Sequence, residues 1–323
     1  MLPAKKTPIF KNRSVSNLRN SSVNLLNKSK LILFVLFLAL SFGLFSVLYR
    51  SKIKDYSRVN FLLKNQNSFF IVSLGSLVKG DKTIVLELPQ DKKILLTRGF
   101  GEYPLGSIYS LGELEGKGET LLRESLQNFF GLSLDGYFFD KENTSPLKTK
   151  SEISGFLKKS LFKKDKSNFS LADRVWLLRR LAVFPESDFS YFDFNAEKFL
   201  NSEKQFDLAK TDAFLGKYFI DQKLSEENLA LAVYNSADLS GLAGQAARLL
   251  INSGGRVVTI ANADLREKIL IKVDPKAANS YSFRKIKTFF PQADCEEGEV
   301  ESGRADLAIY LGKDYWKMLW EKW

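Results

Sequence analysis

A run of 19 residues without a charge, Leu31 to Tyr49, constrains this chain more than any other stretch. As a helix rising 1.5 Å per residue it covers about 28 Å, the thickness of a bilayer core. Lys28 and Lys30 precede it, and Tyr49, Arg50, Lys52 and Lys54 follow, the arrangement of an interfacial belt with snorkelling bases. A soluble helix apolar all round lacks a reason for such flanks. A cleaved leader is the sharper rival, since Ala39-Leu40-Ser41 is a small-x-small site. Apolar residues continue past it to Leu48, however, and no Cys follows to carry a lipid. The reading is one uncleaved transmembrane helix over 31–49. Seven Lys or Arg and no Asp or Glu precede the span, while Arg50, Lys52, Lys54 and Arg58 stand against Asp55 after it. That excess places the N-terminus in the cytoplasm and residues 51–323 beyond the membrane.

The same seven charges account for most of the formal net charge of +11. What remains over the body is unremarkable, so no nucleic-acid partner is expected. Residues 1–30, rich in Ser, Asn and bases, read as a disordered basic cytoplasmic tail. It rests on anionic headgroups or serves only as a topology signal. The chain has no His and one Cys, Cys295. A Ser-His-Asp triad, a Cys-His pair, a His base and an ordinary zinc site are thereby excluded. Cys295 stands among Asp294, Glu296 and Glu297 and reads as an incidental thiol.

Beyond the span the pattern is α/β. "SFFIVSLG", "TIVLELP" and "KILLTRG" are β-rich runs, the first two joined by a Lys-Gly-Asp-Lys turn. Residues 100–119 are dense in Gly and predict a long surface loop. "ETLLRESLQNFFG" has helical spacing and Gly131 as its stop, and "LDGYFFD" returns as a strand. Residues 141–168 carry eight lysines and read as a solvated insertion. Ile153, Phe156, Leu157, Leu161 and Phe162 are the apolar face of a short helix within it, and its basic face suits headgroups or an anionic wall polymer. Ser170 and Asp173 predict a capping box. "DLAKTDAFLGKYF" is another helix, and the polar "DQKLSEEN" reads as a boundary before the last domain.

From residue 229 the chain alternates β-α-β-β-α-β, a small two-layer unit. The fold class is therefore α/β: one N-terminal transmembrane helix, a mixed α/β domain over 56–220, and a small β-α-β-β-α-β domain over 225–323. The loop Asn235-Ser236-Ala237-Asp238-Leu239-Ser240-Gly241 lacks the dinucleotide glycines and the P-loop lysine. Asp238 or Ser240 would cap the following helix and Asn235 would close the turn. Asn235, Ser236, Ser240 and Gly241 are the candidates for an anion at that helix N-terminus. In "DYWKMLWEKW", Trp316, Leu319, Trp320 and Trp323 form a helical stripe, predicted to pack on the last domain.

"SEENLALAVYNSADLSGLAGQAARLLINSGGRVVTIANAD", with the closing "RADLAIYLGKDY", resembles the C-terminal domain of LytR-type cell-envelope proteins. "IVLELPQDKKIL" and "GSIYSLGELEGKGETLLRESLQNFFGLSLDGYFF" resemble a degenerate LytR-CpsA-Psr domain. The resemblance implies a bacterial cell membrane protein facing the envelope. Active members are implied to transfer glycopolymers from polyprenyl-pyrophosphate carriers to the wall, with arginines on the pyrophosphate and aspartates on a cation. Asp91 matches the family aspartate, but Gln90 replaces the arginine before it, and no later Arg-x-Arg with paired aspartates follows. Arg98 and Arg123 are the candidates for a displaced cation. The leading expectation is a non-catalytic envelope protein without a cofactor, binding anionic wall polymer or envelope proteins. A transferase acting on polyprenyl-pyrophosphate donors, with Mg²⁺, is the alternative. A membrane-tethered regulator is the third.

Overall fold

Strands β1 (Val59–Lys64), β2 (Phe69–Leu74) and β3 (Thr83–Leu88) are buried on both faces, and their residues alternate between two cores. The computed structural model describes residues 50–323 apart from 67, 77–80, 141, 143–145, 163–165 and 301–303, together with 30, 32–37, 41 and 43. Leu62, Ile71, Ile84 and Leu86 face one core. Phe61, Leu63, Phe70, Val72 and Val85 face the other. Side chains of period two, apolar on both sides, require helices on both sides, and the domain is a three-layer sandwich.

The first core is covered by α1 (Leu105–Glu113) and α2 (Gly118–Phe130), the second by α3 (Lys150–Phe162) and α4 (Leu171–Val183). Short strands β4 (Lys93–Leu96) and β5 (Gly101–Pro104) make a separate antiparallel pair. The central sheet is completed by β6 (Gly136–Phe139), β7 (Lys166–Ser167) and β8 (Phe189–Asp193), in the order β7-β6-β1-β2-β3-β8.

Two further helices, α5 (Leu208–Tyr218) and α6 (Gln222–Glu227), lead to the last domain. Its sheet has the order β10-β9-β13-β11-β12, from β9 (Ala230–Asn235), β10 (Arg256–Asn262), β11 (Leu270–Val273), β12 (Asp294–Glu297) and β13 (Leu307–Leu311). Helices α7 (Leu242–Asn252), α8 (Tyr281–Phe289) and α9 (Lys313–Trp320) pack on one face, giving the expected two layers. Both expected exterior domains lie within one compact unit, Lys52–Trp323.

Several expectations are corrected. Residues 101–113 are not loop: Leu105, Ile108, Tyr109 and Gly112 are a buried helical stripe, and Gly112 lies so close to Gly118 that a Cβ would meet its Cα at 2.8 Å. The polar boundary "DQKLSEEN" is the helix α6, capped by the Asp221 side chain. A fifth strand, β12, joins the last sheet from an acidic, exposed sequence that hides strand character. Phe162, assigned to the apolar face of α3, is 93% exposed. The Trp stripe breaks because α9 ends at Trp320 and Trp323 lies beyond the helix.

Other expectations hold. Ser170 and Asp173 form the reciprocal capping box, and Gly131 ends α2 at φ 58°. Of the predicted membrane span, Ile32–Phe37, Ser41 and Gly43 are helical, and the other residues of 31–49 lie outside the described residues. No helix among the described residues is long and apolar enough to cross a membrane. The tail over 1–29 also lies outside the described residues.

Candidate functional site

The structure separates the residues picked for a pyrophosphate site. Asp91 lies at the surface with its side chain 73% exposed, and its one ion pair is with the adjacent Lys92 at 3.6 Å. Arg98 follows β4 with φ 62°. It donates from Nε and Nη2 to Glu124 on α2 at 2.9 and 3.1 Å. Its guanidinium also lies 5.2 Å from the Trp323 ring, which Lys117 approaches to 4.6 Å and Phe100 to 6.0 Å. The chain's last residues are held here so closely that a Cβ at Gly99 would meet the Trp320 carbonyl oxygen at 2.5 Å. Arg98 is thus occupied by a bidentate carboxylate and an indole. Gln90 accepts the Gly106 amide through its backbone carbonyl at 2.9 Å, at the start of α1. Among the described residues no three His, Cys, Asp or Glu side chains are grouped to hold a metal ion.

The Asn235 loop is a turn closed by its own groups. Asn235 accepts the Ala237 amide at 3.2 Å and donates to the Leu239 carbonyl at 2.8 Å. Neither Asp238 nor Ser240 caps α7; Gly241 occupies the cap position at φ 84° without a side-chain bond. Ser236 is fully buried, whereas Ser240 is exposed, so the four candidates do not share one accessible surface.

Where the last domain meets the first, most polar groups are paired. Lys285 of α8 lies 2.7 Å from Asp135, and both side chains are 3% exposed. Burial pushes the Asp135 carboxyl up, against the pull of the Lys285 ammonium. Tyr281 donates to Asp221 and accepts the Ser57 amide at 3.0 Å. Burial, the Asp221 charge and the hydrogen bond to Asp221 push the Tyr281 hydroxyl up, against the Ser57 amide. Arg248 of α7 donates from Nε to both oxygens of Asp212 at 2.9 and 2.7 Å, and from Nη1 to the Phe129 carbonyl at 2.7 Å. Asn252, one turn on, donates to the Phe130 carbonyl at 3.3 Å. These are the unsatisfied carbonyls that every helix leaves at its C-terminus, here the end of α2.

Three residues before Arg248, on the same face of α7, the packing opens. A cavity of about 110 Å³ lies between α2 and the last domain. From α2 it is lined by Arg123, Gln127 and Asn128, from α7 by Gln245 and Leu249, and from the α8 end by Phe289, Phe290 and Gln292. The Gln245 Oε1 atom is buried with no hydrogen-bond partner among the described residues. Of the residues picked in advance, this site contains only Arg123. The carboxamides carried no sequence signal, because amides at helical spacing are ordinary surface residues until a second domain covers them.

Residues 228–315 match the family described as LytR cell envelope-related transcriptional attenuator. No curated protein matches the chain. Among solved structures, the transcriptional regulator yvhJ from Bacillus subtilis is 12% identical at a TM-score of 0.35, covering 49% of this chain and 94% of that one. B. subtilis TagT is 11% identical at 0.23, covering 73% and 89%. The LytR-CPS2A-psr family protein YwtF (TagT) with bound octaprenyl pyrophosphate lipid is 11% identical at 0.23, covering 67% and 80%.

Proposed function

We propose that this chain, whose residues 228–315 are a LytR-type C-terminal domain, is a membrane-anchored bacterial envelope protein that binds wall glycopolymer without transferring it. The apolar run 31–49 is its anchor, and residues 51–323 face the envelope. The observation that carries this reading is the commitment of Arg98. A pyrophosphate grip needs guanidinium donors free to point at the anion. Arg98 is closed on Glu124 and Trp323, and Asp91 stands alone at the surface. The cavity between α2 and α7 supports binding, because the Gln245 Oε1 atom buried in its wall has no hydrogen-bond partner among the described residues.

The test uses the full chain in membranes with a labelled polyprenyl-pyrophosphate-linked glycopolymer, isolated wall and Mg²⁺. The expected result is retention of wall polymer on the protein with no label moved to the wall. Mg²⁺-dependent transfer that falls on Asp91→Ala would contradict the reading.

A further inference from the structure

We propose that the cavity between α2 and α7 is a subsite for one acidic sugar residue. This deepens the binding function proposed above and rests on it only for the source of the ligand. The chemistry comes from the lining itself.

The volume sets the size. About 110 Å³ accommodates roughly seven to eleven waters at about 10–15 Å³ each, which suits one sugar ring. The polar groups set the pattern. Gln245 presents a buried acceptor with no donor. Gln127 spends its Oε1 on the Leu134 amide at 3.1 Å and keeps its own N–H groups for another partner. The side chains of Asn128 and Gln292 line the same space. A surface that both donates and accepts matches hydroxyl groups, each of which does both.

Charge sets the rest. Arg123 makes no hydrogen bond or ion pair among the described residues, although it lines the cavity. The two carboxylates beside it are already taken. Glu124 holds Arg98, and Asp314 accepts the Ile269 and Tyr315 amides at 3.1 and 2.7 Å. Arg123 is therefore the group left to meet an anion, and a carboxylate fits its fork. Phe289, Phe290 and Leu249 supply an apolar floor for the C–H face of a ring. A bare phosphate would use Arg123 but would leave the floor and the Gln245 acceptor unmet. An uronic acid residue uses all three.

The experiment titrates methyl glucuronide, methyl glucoside and inorganic phosphate against the full chain in nanodiscs, read by ligand-observed NMR. The glucuronide is expected to bind, the glucoside about tenfold more weakly, and phosphate not to compete at equal concentration. Arg123→Leu should weaken the glucuronide at least ~10-fold and the glucoside less than ~3-fold. Gln245→Leu should weaken both about fivefold. Its melting temperature should not fall below the wild-type value and is expected to rise, because an apolar group of similar size replaces an unpaired buried acceptor. Gln245→Glu, which keeps the shape and adds a repelling charge, should abolish glucuronide binding. The proposal is overturned if neither sugar binds, if both sugars bind equally to wild type and Arg123→Leu, or if phosphate displaces the glucuronide. Wall-polymer retention separates the two ideas. Full retention by Arg123→Leu and Gln245→Glu would end the subsite and leave the binding function standing; no retention by wild type would end both.

Discussion

The junction between the three-layer domain and the last domain has two halves that differ in how their charged groups are treated. Along α8 and the end of α7, every prominent charge has an answer: Lys285 with Asp135, Tyr281 with Asp221, Arg248 with Asp212 and the α2 carbonyls. One turn back along α7, the Gln245 Oε1 atom has no hydrogen-bond partner among the described residues, and Arg123, which lines the same cavity from α2, makes no ion pair among them. Helix α7 takes part in both halves, through Arg248 in one and Gln245 in the other. The difference teaches what each half is for. Buried polar groups that are satisfied fix one arrangement of the domains. Buried polar groups left open cost stability in the free protein and are recovered when a ligand arrives.

The largest way to break this comparison is at Lys285. Lys285→Met leaves the Asp135 carboxylate buried without its cation, and the expected loss is about 3–5 kcal/mol of unfolding free energy, read by denaturant titration. The pH dependence gives a second check. The folded-state pKa of Asp135 is raised, so the native state holds the proton more tightly than the unfolded chain. Such a group costs stability above its folded pKa, and that cost disappears as pH falls through it. The Lys285→Met deficit should therefore shrink as pH is lowered through the raised Asp135 pKa, against the usual direction of acid destabilisation.

A smaller effect is expected at Arg248, whose side chain is 23% exposed and whose partner is 32% exposed. Arg248→Ala should cost about 1–2 kcal/mol, since solvent screens part of the pair. It should also speed hydrogen exchange at the end of α2, where Phe129 loses its donor. Smallest is the C-terminal contact. Trp323→Ala removes a half-exposed ring from Arg98 and Lys117 and should cost about 0.5–1 kcal/mol. If Trp323→Ala cost more than Lys285→Met, the ranking of satisfied burial over surface stacking would be wrong.

Much of this architecture is legible in the sequence because its local signals agree. The strands β2 and β3 are largely apolar, β-rich runs, and the capping box at Ser170 and the Gly131 stop are chemical requirements of helix ends. The alternation after residue 229 yields the two-layer unit. What misleads is composition. The Gly-rich stretch over 100–119 contains a buried helix because Gly112 and Gly118 are needed for close approach rather than for a loop. The acidic β12 is a strand only because β11 offers it an edge. The binding half of the junction is illegible for a related reason. Arg123 attracted notice as a cation, but Gln127, Asn128 and Gln245 become a site only when α7 covers α2, and nothing local to either helix announces that meeting. The Asn235 loop stands out in the sequence, yet the structure uses its side-chain amide to close a turn.

The most direct test of the account is hydrogen–deuterium exchange on the full chain with and without solubilised wall polymer. The account predicts protection concentrated in residues 123–128, 245–249 and 288–292, with residues 89–98 unchanged. Protection confined to 89–98, around Asp91 and Arg98, would contradict it.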